Sequence, residues 1–320
     1  MKVCIYGAGG IGGYLAGKLD QAGVEVRLVA RGPHLRAIQE NGLTLISDGQ
    51  RRVAALPATD DPGSLGPQDY VIVTLKAPSV LAAAQGIGAL LGPETAVVSA
   101  QNGVPWWYFY RHGGPFENRH LESVDPEGKI WRALGPERAI GCVVYPSCEI
   151  VEPGVVRHLH GNRFMLGEPD GERTARSKAL SNALTRAGLK APVRRKIRDD
   201  LWLKLWGNAS FNPVSVLTAE TLREMTETEE SLRLIKSIMR EAQAVAEGLG
   251  VKLSVDIEKR IQWAADVGDH KTSMLQDLEK GRPLELDEVV GAVAELGRWL
   301  GVPTPELQSV LDRVRHLVKL

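Results

Sequence analysis

A lysine and two asparagines recur at intervals of four residues in the second half of the chain. On a helix, Lys204, Asn208 and Asn212 would form one inclined stripe, because residues four apart lie one turn above each other. Leucines and tryptophans flank the stripe. If this face is buried, burial disfavours the ammonium and makes Lys204 a proton donor near neutral pH, while the amides hold substrate oxygens. A surface helix with a solvated lysine explains the stretch equally well.

Ser273 and Glu285 form a second candidate group. Ser273 stands near the N-terminus of a predicted helix, whose amides would suit a carboxylate. Glu285 opens the next predicted helix and can accept hydrogen bonds from a substrate hydroxyl or from Lys204. The purely structural interpretation makes Ser273 an N-cap and Glu285 a first-turn acid. For each residue taken singly, that interpretation is the better one.

The composition argues against several classes of protein. A chain of 320 residues is long enough for about two domains. Its 39 basic and 39 acidic residues balance, so neither nucleic acid nor an anionic membrane is predicted as a partner. The three cysteines have no Cys-x-x-Cys spacing, and neither a disulfide framework nor a metal site is predicted. Without a recognisable signal peptide or an apolar run long enough to span a membrane, a cytoplasmic location is expected.

The N-terminus carries a glycine-rich turn between a predicted strand and a predicted helix. Residues 2–6 are rich in β-formers, and apolar residues recur at helical spacing after the glycines. In that context G-x-G-x-x-G is typical of a dinucleotide site. Gly7 permits the tight turn, Gly9 lets the backbone approach a pyrophosphate, and Gly12 lets helix and strand pack closely. The predicted cofactor contacts in this turn are Gly7, Ala8, Gly9, Gly10, Ile11 and Gly12.

Arg31 follows the second predicted strand, residues 24–30. A site for NAD would have an acidic residue there to bind the ribose hydroxyls. A guanidinium suits the 2′-phosphate of NADP instead, so NADPH is the predicted cofactor. An ordinary loop arginine is the alternative.

Two further polar residues follow predicted parallel strands. Lys76 comes after the strand at 70–74, and Asn102 comes after the strand at 95–99. Ligands of open parallel sheets bind at the carboxyl ends of the strands, so both residues are expected where a nicotinamide and its substrate would be. Either residue alone is weak evidence, because lysines and Asn-Gly turns are common in loops.

Five aromatic residues in a row open the region that follows. The run at 106–110 is either a pocket wall or subunit contact, or a short helix packed on the sheet, and we favour the helix. Strands are expected to resume at 139–145, 154–160 and 163–167, antiparallel at the edge of the sheet.

The pattern becomes helical after Lys196. One apolar-periodic segment follows another, and Pro213 is expected to end or bend the first of these helices at Asn212. The predicted fold is α/β, with a Rossmann-type, mostly parallel sheet domain at residues 1–196 that binds NADP. An all-helical domain at residues 197–320 is predicted to bind substrate and carry the catalytic residues. A helical half with exposed aromatics nearby is compatible with a homodimer.

The combination of motifs resembles the ketopantoate reductases (2-dehydropantoate 2-reductases) over nearly the whole chain. The stripe with its Asn212-Pro213 end and the Ser273-Met-Leu-Gln-Asp motif with Glu285-Leu-Asp are specific, whereas the glycine fingerprint is not. The remaining matches are Arg31, Lys76 and the Gln101-Asn102-Gly103 turn.

This resemblance implies NADPH-dependent reduction of ketopantoate, a small 2-oxo acid, to pantoate on the way to pantothenate and coenzyme A. Lys204 would be the general acid, and Glu285 would orient the lysine and hold the substrate hydroxyl. The implied substrate contacts are Asn102, Asn208, Asn212 and Ser273, with Ser273 on the carboxylate. Lys76 and Asn102 would line the nicotinamide side.

Two features depart from the family pattern. The family has Asn-Gly a few residues after Glu-x-Asp, whereas this chain has Val290-Gly291, and the segment 106–131 is longer and more aromatic. Both leave the redox chemistry intact and bear on the substrate, so another 2-oxo acid is an alternative. The related β-hydroxyacid dehydrogenases also place a lysine four residues before an asparagine on a helix, so an enzyme of that type, acting on a 3-hydroxy acid, is a further alternative. A non-enzymatic NADP(H) sensor is the alternative from another class.

Overall fold

The computed structural model describes residues 1–319, which form two compact units. The first comprises residues 1–101, 107–120 and 128–197, and the second comprises residues 102–106, 121–127 and 198–320. The predicted boundary after residue 196 lies next to the observed one. The prediction differs in the two short segments at 102–106 and 121–127, which belong to the helical unit. Within residues 1–319, no helix combines the length and apolar character needed to cross a membrane.

The first unit contains all the strands and five of the helices that the structure describes. The strands are β1 (Lys2–Tyr6), β2 (Glu25–Val29), β3 (Leu43–Ser47), β4 (Gln50–Ala54), β5 (Ala58–Thr59), β6 (Gln68–Val73), β7 (Leu91–Ser99), β8 (Ala139–Val144), β9 (Ser147–Glu152), β10 (Val155–His160) and β11 (Phe164–Gly167). The helices are α1 (Gly10–Gln21), α2 (Gly32–Asn41), α3 (Val80–Gly88), α4 (Lys129–Leu134) and α5 (Ala175–Arg186).

A seven-stranded sheet forms the centre of this unit, in the order β11-β8-β7-β6-β1-β2-β5. Its strands pair in parallel except β11, which is antiparallel to β8 at the edge. The central strands are apolar and almost wholly buried, as a sheet covered on both faces requires. The predicted fold class is confirmed. Of the strands expected to be antiparallel at the edge, β11 is antiparallel to β8, whereas β8 itself pairs in parallel with β7. Lys190 and Val193 make only isolated parallel bridges, to Arg163 and Leu166 respectively.

A second sheet, in the order β4-β3-β10-β9, was not predicted. We expected β10 in the main sheet, but it pairs with β3 and β9. The hairpin β3–β4 turns at Asp48 and Gly49, which both have positive φ. An Asp-Gly pair is the typical sequence signal of such a two-residue hairpin turn. Helix α1 packs on this sheet through glycines: a Cβ at Gly13 would lie 2.6 Å from the Val156 side chain.

The aromatic run at 106–110 forms consecutive turns, so the predicted short helix is wrong. The first four of its five side chains are at most 5 % exposed. The Trp107 indole donates a hydrogen bond of 3.2 Å to Ser99 Oγ, and the lack of a side chain at Gly141 makes room for its ring. The homodimer stays a prediction, and the buried part of this run does not contribute to it.

The second unit is helical. It contains nearly all of α6 (Ile197–Thr218), then α7 (Leu222–Glu227), α8 (Glu229–Gly248), α9 (Ile257–Val267), α10 (Ser273–Glu279), a π turn (Asp287–Gly291), α11 (Ala292–Leu300) and α12 (Pro305–Val318). The helix predicted to open at Glu285 therefore begins as a π turn, and α7 was not predicted.

Helix α6 runs through the core of this unit. Trp202 and Trp206 are fully buried, and the Trp206 indole donates a 2.7 Å hydrogen bond to the Met239 carbonyl on α8. Pro213 was expected to end or bend α6 at Asn212. The end is wrong, because the helix continues through Pro213 to Thr218, and the bend stays a prediction. Proline removes one backbone hydrogen bond, but burial of the flanking side chains stabilises the helix on both sides of it.

Candidate active site

Three residues from distant parts of the sequence are joined by hydrogen bonds in the second unit. The Lys204 ammonium donates to Asn102 Oδ1 at 2.8 Å, and Asn102 Nδ2 donates to Glu285 Oε2 at 2.8 Å. Glu285 is 5 % exposed, and Lys204 is half-buried, between the buried and the solvated lysine that the sequence left open. The series links an ammonium to a buried carboxylate through one amide. Such an arrangement holds a proton donor in a defined position.

The backbone around Asn102 is held against the π turn. The Val104 N–H donates a 2.9 Å hydrogen bond to the Glu288 carbonyl. Gly103 has φ of +85°, and a Cβ there would lie 2.6 Å from that same carbonyl oxygen. A side chain at position 103 would therefore be strained and would push the segment away. The Asn-Gly pair is thus explained by tertiary packing as well as by turn formation.

Glu288 was not predicted as a site residue. It is 5 % exposed, and its Oε2 has no hydrogen-bond partner among residues 1–319. Burial raises the pKa of this carboxyl to about 8, and the neighbouring charges of Glu285 and Asp287 contribute to the rise. With Glu288 protonated and neutral, Glu285 is the better hydrogen-bond acceptor of the two carboxyl groups. π turns are frequent at functional sites, but hydrophobic periodicity alone does not distinguish them from α-helix.

Glu295 on α11 is a second buried acid that the sequence analysis missed. It accepts hydrogen bonds from the backbone N–H groups of Glu122 and Ser123 and from the Ser123 hydroxyl, at 2.7–3.0 Å. It thereby fixes the segment 121–127 to α11. A signal was present, because Glu295 is the one charged residue in the apolar run 289–296.

The other predicted substrate residues lie on α6 and α10. Asn208 is half-buried and Asn212 is 6 % exposed, both on the helix that carries Lys204. Ser273 is not the N-cap of α10: that residue is Thr272, whose hydroxyl accepts from the Leu275 N–H at 3.2 Å. Ser273 is exposed in the first turn, and within residues 1–319 it makes no hydrogen bond to the Lys204 series.

The glycine fingerprint in the first unit has the geometry that a dinucleotide needs. Gly7 has φ of +107°, and a Cβ at Gly12 would overlap the Gly7 carbonyl, so these two glycines serve the turn and the strand–helix contact. No atom of the described chain lies within 4 Å of a Cβ built at Gly9, which leaves its backbone approachable. Gly10 is explained differently, because its missing side chain makes room for the Cys148 backbone.

A histidine that sequence reasoning missed supports the fingerprint. His34 Nε2 donates a 2.7 Å hydrogen bond to the Ala8 carbonyl, and His34 Nδ1 accepts from the Gly154 N–H at 3.0 Å. This pattern requires the neutral ring. Burial lowers the pKa of His34 and favours that form, although the bond to Ala8 opposes the shift.

The predicted basic cofactor residues flank this region. Arg31 is the N-cap residue of α2 and is exposed, and Lys76 is half-buried where the chain leaves β6. The carboxyl ends of β1, β6 and β7 are adjacent, as the sequence predicted: the Thr74 N–H bonds the Tyr6 carbonyl at 3.0 Å, and the Ala100 N–H bonds the Val73 carbonyl at 3.0 Å.

Comparison with known proteins identifies relatives along the whole chain. The family model described as ketopantoate reductase PanE/ApbA matches residues 3–171, and its C-terminal counterpart matches residues 196–318. A 2-dehydropantoate 2-reductase from Mesorhizobium japonicum is 53 % identical over 318 residues, covering 99 % of this chain and 98 % of that protein.

Solved structures agree in fold. A protein from Ralstonia solanacearum MolK2, provisionally assigned as a ketopantoate reductase, has a TM-score of 0.94 at 41 % identity, with 99 % of this chain and 98 % of that one covered. A PanE/ApbA family ketopantoate reductase from Ralstonia eutropha JMP134 has a TM-score of 0.86 at 28 % identity, with 100 % and 99 % covered.

The fold and these matches show that the protein is of the oxidoreductase class. The prediction of an enzyme is thereby confirmed, and the alternative of a non-enzymatic sensor is not supported. The chain belongs to the ketopantoate reductase family.

Proposed function

We propose that this protein reduces ketopantoate to pantoate with NADPH. The observation that carries the proposal is the hydrogen-bonded series of Lys204, Asn102 and Glu285 in a chain of the ketopantoate reductase family. The relative of 53 % identity that is named a 2-dehydropantoate 2-reductase supports the same substrate.

Lys204 is the general acid of the proposed reaction. When bound, the reduced nicotinamide supplies a hydride to the ketone carbon. Lys204 gives a proton to the ketone oxygen, so negative charge does not accumulate there. Asn102 holds the ammonium through its carbonyl oxygen, and Glu285 fixes the Asn102 amide at 2.8 Å. Glu285 thus orients the lysine through Asn102 and can also accept the substrate hydroxyl.

The remaining residues bind the two ligands. Asn208 and Asn212 share the Lys204 helix and hold substrate oxygens, and the carboxylate contact of Ser273 stays a prediction. The open backbone at Gly9 receives the pyrophosphate. The other residues of the turn, from Gly7 to Gly12, are proposed as further cofactor contacts. Arg31, exposed at the start of α2, binds the 2′-phosphate, and Lys76 and Asn102 are proposed on the nicotinamide side.

The test is consumption of NADPH by the purified protein, followed by absorbance, with ketopantoate run beside other branched 2-oxo acids and 3-hydroxyisobutyrate with NADP⁺. We expect ketopantoate to have the highest kcat/KM. If another 2-oxo acid in the panel has a higher kcat/KM, the proposed substrate is wrong and the proposed mechanism still applies. Activity on the 3-hydroxy acid alone would replace this function by that of a β-hydroxyacid dehydrogenase.

A different 2-oxo acid is the second candidate. The position that follows the Glu-x-Asp motif and precedes Gly291 is Val290, where the family pattern has asparagine, and Val290 is fully buried. An amide is therefore replaced by an apolar side chain on the π turn that neighbours Glu285. The same panel decides between the two substrates.

A further inference from the structure

An arginine from α9 reaches the helix that carries Lys204. A Cβ built at Gly207 would overlap the Arg260 guanidinium. Only glycine at position 207 lets that group lie so close to the α6 backbone. The guanidinium carbon is also 6.0 Å from the centroid of the Phe211 ring, within the range of a cation–π contact.

This contact puts a fixed positive charge beside the stripe of polar residues on α6. Gly207 follows Lys204 by three positions and precedes Asn208 by one. Residues three apart on a helix are neighbours, with about 5–6 Å between their Cβ positions. The guanidinium therefore lies about one helical turn from the base of the lysine side chain.

A cationic group at this place suits the substrate class of the proposed function. A 2-oxo acid carries a carboxylate on the carbon next to the ketone, so a proton donor for the ketone and a partner for the carboxylate must stand close together. A guanidinium has planar, forked N–H donors that match a carboxylate, and it is always charged. Ser273 offers one neutral hydroxyl, exposed at the start of α10.

We propose that Arg260 binds the carboxylate of the 2-oxo acid substrate and so selects acids over uncharged ketones. The proposal rests on the proposed function, because it assigns one contact within the same site. Gly207 is then a positioning residue, whose missing side chain admits the guanidinium. The sequence gives no sign of this role, since Arg260 reads as an ordinary polar residue of an amphipathic helix.

The experiment compares ketopantoate with ketopantoyl lactone, its cyclic ester, which keeps the reacting ketone and has no carboxylate. We expect Arg260→Met to lower kcat/KM for ketopantoate by about 10²-fold, the size of a lost charged hydrogen bond, and to change it for the lactone by less than about threefold. Lys259→Met is the matched control: it removes an exposed positive charge from the same helix and is expected to change neither value.

Two further measurements separate binding from structure. Pantoate affinity of the NADP⁺-bound enzyme, measured by calorimetry, should fall about 10²-fold in Arg260→Met and about tenfold or less in Arg260→Lys, which keeps the charge without the fork. Gly207→Ala displaces the guanidinium and keeps its charge, so it should raise KM for ketopantoate with kcat nearly unchanged.

Equal losses for the acid and the lactone, or an unchanged pantoate affinity, would show that Arg260 only packs on Phe211 and would overturn the proposal. If the wild-type enzyme turns over another 2-oxo acid and not ketopantoate, the proposed substrate fails separately. The same comparison is then made with that acid and its methyl ester, and a loss confined to the acid still supports Arg260.

Discussion

Asn102 is the residue through which Lys204 and Glu285 are connected. A carboxamide has an acceptor oxygen and a donor nitrogen, and both are used here, towards the ammonium and the carboxylate respectively. An aspartate of the same shape could accept from Lys204 but could not donate to Glu285, and two carboxylates would then face each other. The identity of residue 102 therefore matters as much as its position.

Removal of the proposed proton donor should lower kcat more than it weakens ligand binding. In Lys204→Ala we expect kcat to fall by about 10²–10⁴-fold, because general-acid catalysis contributes that much. The dissociation constant for NADPH should stay within about threefold of wild type. Stopped-flow measurement of the hydride-transfer step and a fluorescence titration of NADPH supply the two numbers, with Lys252→Ala, an exposed lysine, as control. A loss confined to KM would mean that Lys204 merely binds substrate.

The amide link can be tested by reversing its polarity. Asn102→Asp should lower kcat/KM by about 10²-fold, since it places a carboxylate opposite Glu285. Adding Glu285→Gln restores a donor–acceptor pair, now from Gln to Asp, so the double variant should recover about tenfold relative to Asn102→Asp. If the two losses simply multiply, the hydrogen bond between residues 102 and 285 has no part in catalysis.

At the scale of elements, the π turn, Glu285 just before it and α11 hold two short segments of the second unit in place, and one of these segments carries Asn102. Glu285 stands just before the turn, the Glu288 carbonyl holds Val104, and Glu295 on α11 holds the segment 121–127. Glu285 and Glu295 through their carboxylates, and Glu288 through its backbone carbonyl, thus anchor two short segments that are distant in sequence. Glu288 and Val290, both in the π turn, are buried.

Glu288 should make stability depend on pH. Its pKa is about 8 in the folded protein and 4.5 for an ordinary glutamate, so the folded state binds the proton more tightly. The contribution of this proton to the free energy of unfolding is complete below pH 4.5 and is lost progressively as the pH rises from 4.5 through about 8. Glu288→Gln, which cannot ionise, should therefore gain stability over wild type as pH rises, by up to about 1.4 kcal/mol per pH unit.

Urea unfolding of both proteins at several pH values between about 5 and about 9 measures this gain. Glu227→Gln, at an exposed position, is the control and should follow wild type. A constant difference between Glu288→Gln and wild type across the range would show that Glu288 ionises alike in both states.

At the scale of the whole molecule, the chain combines an α/β unit with the glycine turn and a helical unit with the lysine series. Ligand binding to either unit stabilises the folded chain, by about 2.7 kcal/mol at a hundredfold excess over the dissociation constant. The cofactor preference can therefore be measured without substrate and without turnover.

NADPH should raise the melting temperature more than NADH at equal concentration, because Arg31 is expected to bind the 2′-phosphate. In Arg31→Glu we expect the order to reverse, since a carboxylate repels the phosphate and accepts from the ribose hydroxyls. Arg36→Glu, at another exposed position of α2, should keep the NADPH preference. Equal shifts by the two cofactors in the wild-type protein would contradict the assignment of Arg31.

The sequence by itself determined the fold class, the order of the main elements and the family, because these depend on local signals. Apolar strands, the glycine turn and helical periodicity are each contained within a few neighbouring residues. The hairpin at Asp48-Gly49 was equally local, and its Asp-Gly signal could have predicted the second sheet. Pro213 misled the helix boundary because tertiary packing outweighed a local preference.

Only the tertiary structure decided which residues are partners. The bonds of Asn102 to Lys204 and Glu285 join positions 102 and 183 residues apart, and no periodicity relates them. The raised pKa of Glu288 depends on burial, and the contact of Arg260 with α6 depends on the absent side chain of Gly207. These features arise where separate elements pack together, so they depend on distances that a linear pattern does not contain.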